Sequence, residues 1–142
     1  MILLDANLLI YASSNKSAHY PAATDWLTSL LSGNEPVALA WMTITAFLRI
    51  STHPGLSDPP MTAARAIEVV SSWLEHPIIS ILEPGPNHWP IFRRLLLETP
   101  ARGNLVTDAH LAALAIEHDA TVYITDGDFR RFRGVRVVNP LS

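Results

Sequence analysis

Four aspartates carry the chemistry this sequence can offer. Asp126 and Asp128 flank Gly127 near the end of "VYITDGDF", residues 122–129, where an apolar run breaks off. Asp5 closes a second apolar run near the N-terminus, and Asp108 opens "DAHLAALAIEHD". Adjacent carboxylates repel unless solvent, backbone amides or a cation compensates them. Ligands made only of oxygen suit a hard ion such as Mg2+ or Mn2+ rather than zinc. Nothing in the chain competes for that role. Cysteine is absent, which removes thiolate ligands, thiol nucleophiles and disulfides. The histidines form no His-x3-His pair: His110 and His118 are eight apart, and His53 and His76 adjoin prolines. Packing or surface roles suit all six.

These acids need elements to hold them. Residues 2–4, 36–40, 78–82, 121–125 and 135–138 read as short strands, each an apolar run bounded by turn residues. Between them lie helical patterns. The first begins after Asp5, and the second runs from Pro21 to a stop at Gly33. The third, "WMTITAFLRIST", puts Ile44, Phe47, Leu48 and Ser51 on one side, and a fourth follows the cap Thr62. "HWPIFRRLLLE" is the fifth, and Asn104 or Thr107 caps the sixth. Strands alternating with helices of this length predict a parallel sheet covered on both faces. No repeat, linker or low-complexity tract divides the chain, so residues 1–142 are expected to form one α/β domain.

Ligand sites in such sheets open beyond the carboxyl ends of the strands, where the strand order reverses. With the order 3-2-1-4-5, Asp5 and Asp126 meet at that point, and Asp128 follows two residues later. Asp108 approaches on the sixth helix, where Ala112 and Ala115 allow close packing on the sheet. Each acid also has an ordinary structural explanation. Asp5 can end a strand and start a helix, and Asp108 in a first turn favours the helix dipole. Asp126 or Asp128 can form an Asx-turn or cap a short "FRRF" helix. Taken together, carboxylates converging without a buried Lys or Arg call for a cation.

The formal charge is only −3, yet seven of the ten Lys and Arg are arginines within the last fifty residues. Such a cluster beside an acidic centre suits a polyanion, and equally a solvated basic face. No apolar run reaches the roughly 18 residues that cross a bilayer. "MILLDANLLIYA" lacks a basic leader and is interrupted by Asp5 and Asn7, which argues against an export signal. A cytoplasmic protein is the expectation.

The blocks "LLDANLLIYA", "WMTITAFLRISTHP", "GNLVTDAHLAALAIEHDA" and "YITDGDFRRFRGVRVVNPL" together resemble the PIN-domain ribonucleases, and more narrowly the VapC toxins. The likeness spans essentially the whole chain. It implies a three-layer α/β/α sandwich with a sheet of four to five strands. It also implies an endoribonuclease dependent on Mg2+ or Mn2+, acting on tRNA or ribosomal RNA. A VapB-type antitoxin and a homodimer are implied as partners. By position, Asp5, Asp108 and Asp126 match the family's catalytic metal ligands, and Asp128 the second acid of the last motif, a further metal ligand directly or through water. Asn7 and Thr125 match supporting polar residues, while Arg49, Arg102 and Arg130 are candidate phosphate contacts. One departure stands out: the glutamate common before the "FLR"-like segment is Ala46 here. That leaves a non-catalytic PIN domain, binding RNA or an antitoxin, as the alternative. A receiver-like phosphorylation domain fits poorly, because the third strand runs "IISILEPG" without an aspartate and the only lysine is Lys16. An apolar set, Trp26, Leu27, Leu30, Val69, Val70 and Trp73, combines core packing with a groove for an antitoxin helix.

Overall fold

A computed structural model describes all 142 residues. The elements in chain order are β1 (Ile2–Leu4), α1 (Ala6–Ser13), α2 (Tyr20–Leu31), β2 (Val37–Ala40), α3 (Trp41–Ser51) and α4 (Ala63–Leu74). They continue as β3 (Ile79–Leu82), α5 (His88–Glu98), α6 (Asn104–Glu117), β4 (Thr121–Tyr123), a 3-10 turn (Gly127–Arg131) and β5 (Arg136–Val138). All five strands pair in parallel in the order β3-β2-β1-β4-β5.

Strand pleating sends alternate residues to opposite faces. Leu3, Ala38, Ala40 and Val122 face a core built with α5, α6 and the 3-10 turn. Ile2, Leu4, Val37 and Leu39 face a second core that includes Leu9 of α1, Ile44 and Phe47 of α3, and Val70 and Trp73 of α4. Both faces being apolar explains why the central strands read as unbroken apolar runs. Phe47 anchors the second core edge-on to Trp73, with ring centres 4.7 Å apart. Truncating such a buried ring costs about 3–5 kcal/mol.

Two elements differ from their sequence-based expectation. Strand β4 stops at Tyr123, leaving Thr125 in the bend beyond it. Helix α6 begins at Asn104, and neither Asn104 nor Thr107 caps it; the cap position is Gly103, with φ 57° and ψ −126° and no side-chain bond. Only glycine enters that conformation without strain, so Gly103 sets where α6 starts. Asp108 then falls in the second turn, where the dipole contributes little. Its carboxylate is not there to serve the helix. Four alanines of α6, Ala109, Ala112, Ala113 and Ala115, are fully buried, which seats the helix close against the sheet.

Candidate active site

The strand order reverses between β1 and β4, and their register pairs Leu4 with Tyr123. Asp5 therefore leaves the sheet beside β4, and its N–H donates to Tyr123 O at 3.0 Å. Its Oδ2 accepts from the Asn7 N–H at 3.1 Å, capping α1. Asn7 thus supports Asp5 through its main chain, while its side chain is exposed. Asp126 caps the 3-10 turn, with Oδ1 accepting from the Asp128 N–H at 2.9 Å. The structural explanations for Asp5 and Asp126 are both correct as far as they go.

Capping does not account for the electrostatics. Burial pushes the Asp5 carboxyl up to about 6; the Asn7 and Ala6 amides oppose this, and the negative charges of Asp108 and Asp126 add to it. Asp108 is also raised, first by burial and then by Asp126. The fold thus brings Asp5, Asp108 and Asp126 within range of one another's charge. Asp128 is not in that group: it is exposed and pairs with Arg131 at 3.4 Å.

Arg131 is a basic neighbour of these acids, and it is exposed rather than buried. Its charge pulls the Asp108 pKa down, against burial and Asp126, and its Nε donates to Asp128 O at 2.9 Å. The sequence shows an arginine three residues after Asp128 but not that it reaches towards α6. The rest of the basic cluster divides. Arg94 and Arg133 bind Glu98, and Arg136 binds Asp119. Arg49, Arg93, Arg102 and Arg130 are exposed and form no ion pair.

Two further placements bear on the site. Thr43, buried on α3, donates its hydroxyl to Leu4 O at 3.4 Å, tying α3 to the residue before Asp5. Thr43 and Ser51 are both hydroxyls among the buried positions of α3, so residue type alone does not single out Thr43. Ala46 lies one turn further along the same side of α3. Gly127 has no positive φ and a Cβ there would meet nothing within 4 Å, so the link between the two acids does not require glycine.

Residues 2–135 match the PIN domain family. The chain is similar to ribonuclease VapC37 of Mycobacterium tuberculosis, 41% identical over 99% of this chain and 97% of that protein. It is 35% identical to ribonuclease VapC33 of the same species, over 99% of both. This chain belongs to the PIN-domain VapC family. Among solved structures, its fold is similar to VapBC2 from Rickettsia felis bound to a promoter DNA fragment (TM-score 0.72, 19% identity, 98% of both chains). It also overlays Mycobacterium tuberculosis VapC20, a sarcin-ricin loop cleaving toxin (TM-score 0.69, 14% identity, covering 96% of this chain and 98% of that one).

PIN-domain VapC ribonucleases depend on divalent metal, and the donor set here fits such an ion in charge and hardness. Asp5 is destabilised as an anion, and Asp126 keeps Oδ2 free of hydrogen bonds within the chain. No three His, Asp or Glu side chains are drawn together tightly enough to enclose an ion by themselves. The fit therefore lies in donor chemistry rather than in a closed cage. The glutamate many PIN domains carry on α3 would have added a carboxylate at Ala46.

Proposed function

We propose that this VapC-family chain, acting as one domain, is the toxin of a type II toxin–antitoxin pair. It is an endoribonuclease that hydrolyses RNA phosphodiester bonds with Mg2+ or Mn2+ held by Asp5, Asp108 and Asp126. The observation that carries the reading is a carboxylate raised to about 6 by burial, with two further carboxylates in range of its charge. A catalytic site tolerates such an unfavourable arrangement when it serves chemistry. When bound, the ion lowers the pKa of water and offsets phosphate charge. The protein supplies position. The N-cap bond fixes the Asp5 carboxylate and the β4 carbonyl its backbone, Thr43 holds α3 against the end of β1, and α6 carries Asp108. Asp128 stands at the rim as a further ligand, and Thr125, half-buried beside Asp126, supports the loop. Arg49, Arg102 and Arg130, free of ion pairs, contact flanking phosphates, so binding weakens as salt rises.

A VapB-type antitoxin is the partner, and a homodimer the expected assembly. Its helix fits the recess of about 540 Å3 lined by Tyr20, Leu27, Met61, Val69 and Trp73, with a basic side chain reaching the carboxylates. No helix is long and apolar enough to cross a membrane, and a cytoplasmic location suits an RNA target. The second reading, a non-catalytic PIN domain, rests on Ala46.

Purified protein incubated with total cellular RNA and Mg2+, Mn2+ or EDTA separates the two. Discrete fragments that disappear with EDTA and in Asp126→Asn are expected. Full activity in Asp126→Asn would remove that residue from the metal site, and intact RNA in every lane would favour the non-catalytic reading.

A further inference from the structure

The chain has four tryptophans, and three pack against an aromatic ring: Trp26 on Tyr123, Trp73 on Phe47 and Trp89 on Phe92. Trp41 has no such partner and is 51% exposed. A half-exposed indole without a ring to pack on leaves a π face open to solvent. Its location is specific. Trp41 follows Ala40, the last residue of β2, and continuing the β1–β2 register places Ala40 beside Asp5. Neighbouring strands lie about 4.8 Å apart, and Trp41 follows the carboxyl end of β2, the strand beside the one that Asp5 ends.

Trp41 also borders a recess of about 290 Å3. Met42, Leu82, Glu83, His110 and Leu114 line it as well. Ligand pockets run from roughly 300 Å3 upwards, so this one takes a single ring system and not a whole nucleotide. His110 sits two residues beyond Asp108 on α6, and its Nδ1 meets Met42 Sδ at 3.1 Å. The other ring nitrogen, Nε2, makes no hydrogen bond within the chain. Nε2 is left for a ligand. Glu83 supplies a carboxylate, an acceptor for an amino group.

We infer that this recess is a nucleobase subsite: one unpaired base of the RNA stacks on Trp41 with its edge toward His110 and Glu83, fixing which phosphodiester reaches the carboxylates. The inference rests on the ribonuclease reading. An aromatic platform with polar groups at its rim matches recognition of bases splayed out of loops, whereas paired bases are inaccessible. The Glu83 acceptor favours a base with an exocyclic amino group over uracil.

The test uses Trp41→Leu, which keeps apolar bulk without a π face, and Trp41→Phe, which keeps a smaller one. Cleavage sites of the wild type are mapped on total RNA with Mg2+ or Mn2+. A short RNA spanning the mapped site then carries 2-aminopurine at successive positions and is bound to Asp126→Asn protein. Quenching at one position is expected, and it disappears in Asp126→Asn/Trp41→Leu. Stacking on one base is worth roughly ten- to a hundredfold in binding. Trp41→Leu should therefore raise KM by about that factor with a smaller change in kcat, and Trp41→Phe should recover most of it. Wild-type cleavage together with unaltered KM, sites and quenching in Trp41→Leu would overturn the subsite while leaving the ribonuclease standing. A wild type that cuts no RNA would overturn both.

Discussion

Asp5 and Glu117 are both carboxylates withdrawn from solvent, both accept backbone N–H groups, and their acidities move in opposite directions. Glu117, with a side chain 7% exposed, receives the amides of Gly85 and Asn87 at 2.8 Å each. Burial works against its ionisation, yet these two amides and the nearby His118 and His88 outweigh it, and its pKa falls. Asp5 also has amides from Asn7 and Ala6, but its other neighbours are carboxylates and its pKa rises. The contrast separates two uses of a buried acid. Where each oxygen is answered by an amide, the carboxylate ties α6 to the loop before α5. Where like charges are gathered instead, the anion waits for something positive. Glu98 repeats the first pattern at the surface, its pKa lowered mainly by the Arg133 hydrogen bond with Arg94 assisting.

Substitution at the two acids should move stability in opposite senses, and only at Asp5 should activity change. Asp5→Asn keeps an N-capping oxygen and removes the buried charge. RNA cleavage should fall by at least about a hundredfold, the scale of losing one electrostatic contact to the reacting centre. In EDTA at pH 7, the same variant should gain roughly 1–3 kcal/mol in urea unfolding, from a pKa that folding raises from 3.8 to about 6. The sign follows from linkage. A raised folded pKa stabilises fully below about pH 4, and that contribution is lost as the pH climbs through 6. The gain of Asp5→Asn over wild type should accordingly be near zero at pH 4 and full at pH 7. An equal gain at both would place the Asp5 pKa elsewhere.

Glu117→Ala is the opposite case. Two amides lose their acceptor, and stability should drop by roughly 1–3 kcal/mol, with cleavage per folded molecule unchanged. A thermal melt run beside an RNA assay checks both halves.

Smaller effects sharpen the contrast at two glycines. Gly103→Ala forces a side chain into a positive-φ conformation and should cost about 1–2 kcal/mol. Because Gly103 starts the helix that carries Asp108, activity should fall as well. Gly127→Ala, between two of the acids, should stay within about 1 kcal/mol of wild type by denaturant melt, with any change towards greater stability. A large loss there would mean that the 3-10 turn depends on glycine after all.

Much of this was legible from the chain. The short apolar runs and intervening helical spacings give an α/β sheet with two covered faces, Thr62 caps α4 as its spacing suggests, and Ala112 and Ala115 pack where expected. Aspartates after the first and fourth strands point to the switch in strand order. That the link between Asp126 and Asp128 does not need glycine shows only in the φ and the open space at Gly127. The α6 cap was misplaced, since Asn104 and Thr107 have capping chemistry while Gly103 has the required conformation.

The sequence by itself determined which residues could bind an ion and which strand ends would carry them, because periodicity and turn chemistry act between near neighbours in the chain. Only the tertiary structure decided how each charge is answered. Arg131 pairs with Asp128 while its charge still reaches Asp108, Arg94 and Arg133 are taken up by Glu98, and Trp41 is left half-exposed beside a recess. Electrostatic energy falls with distance and depends on burial, and both are set by elements that meet only after folding.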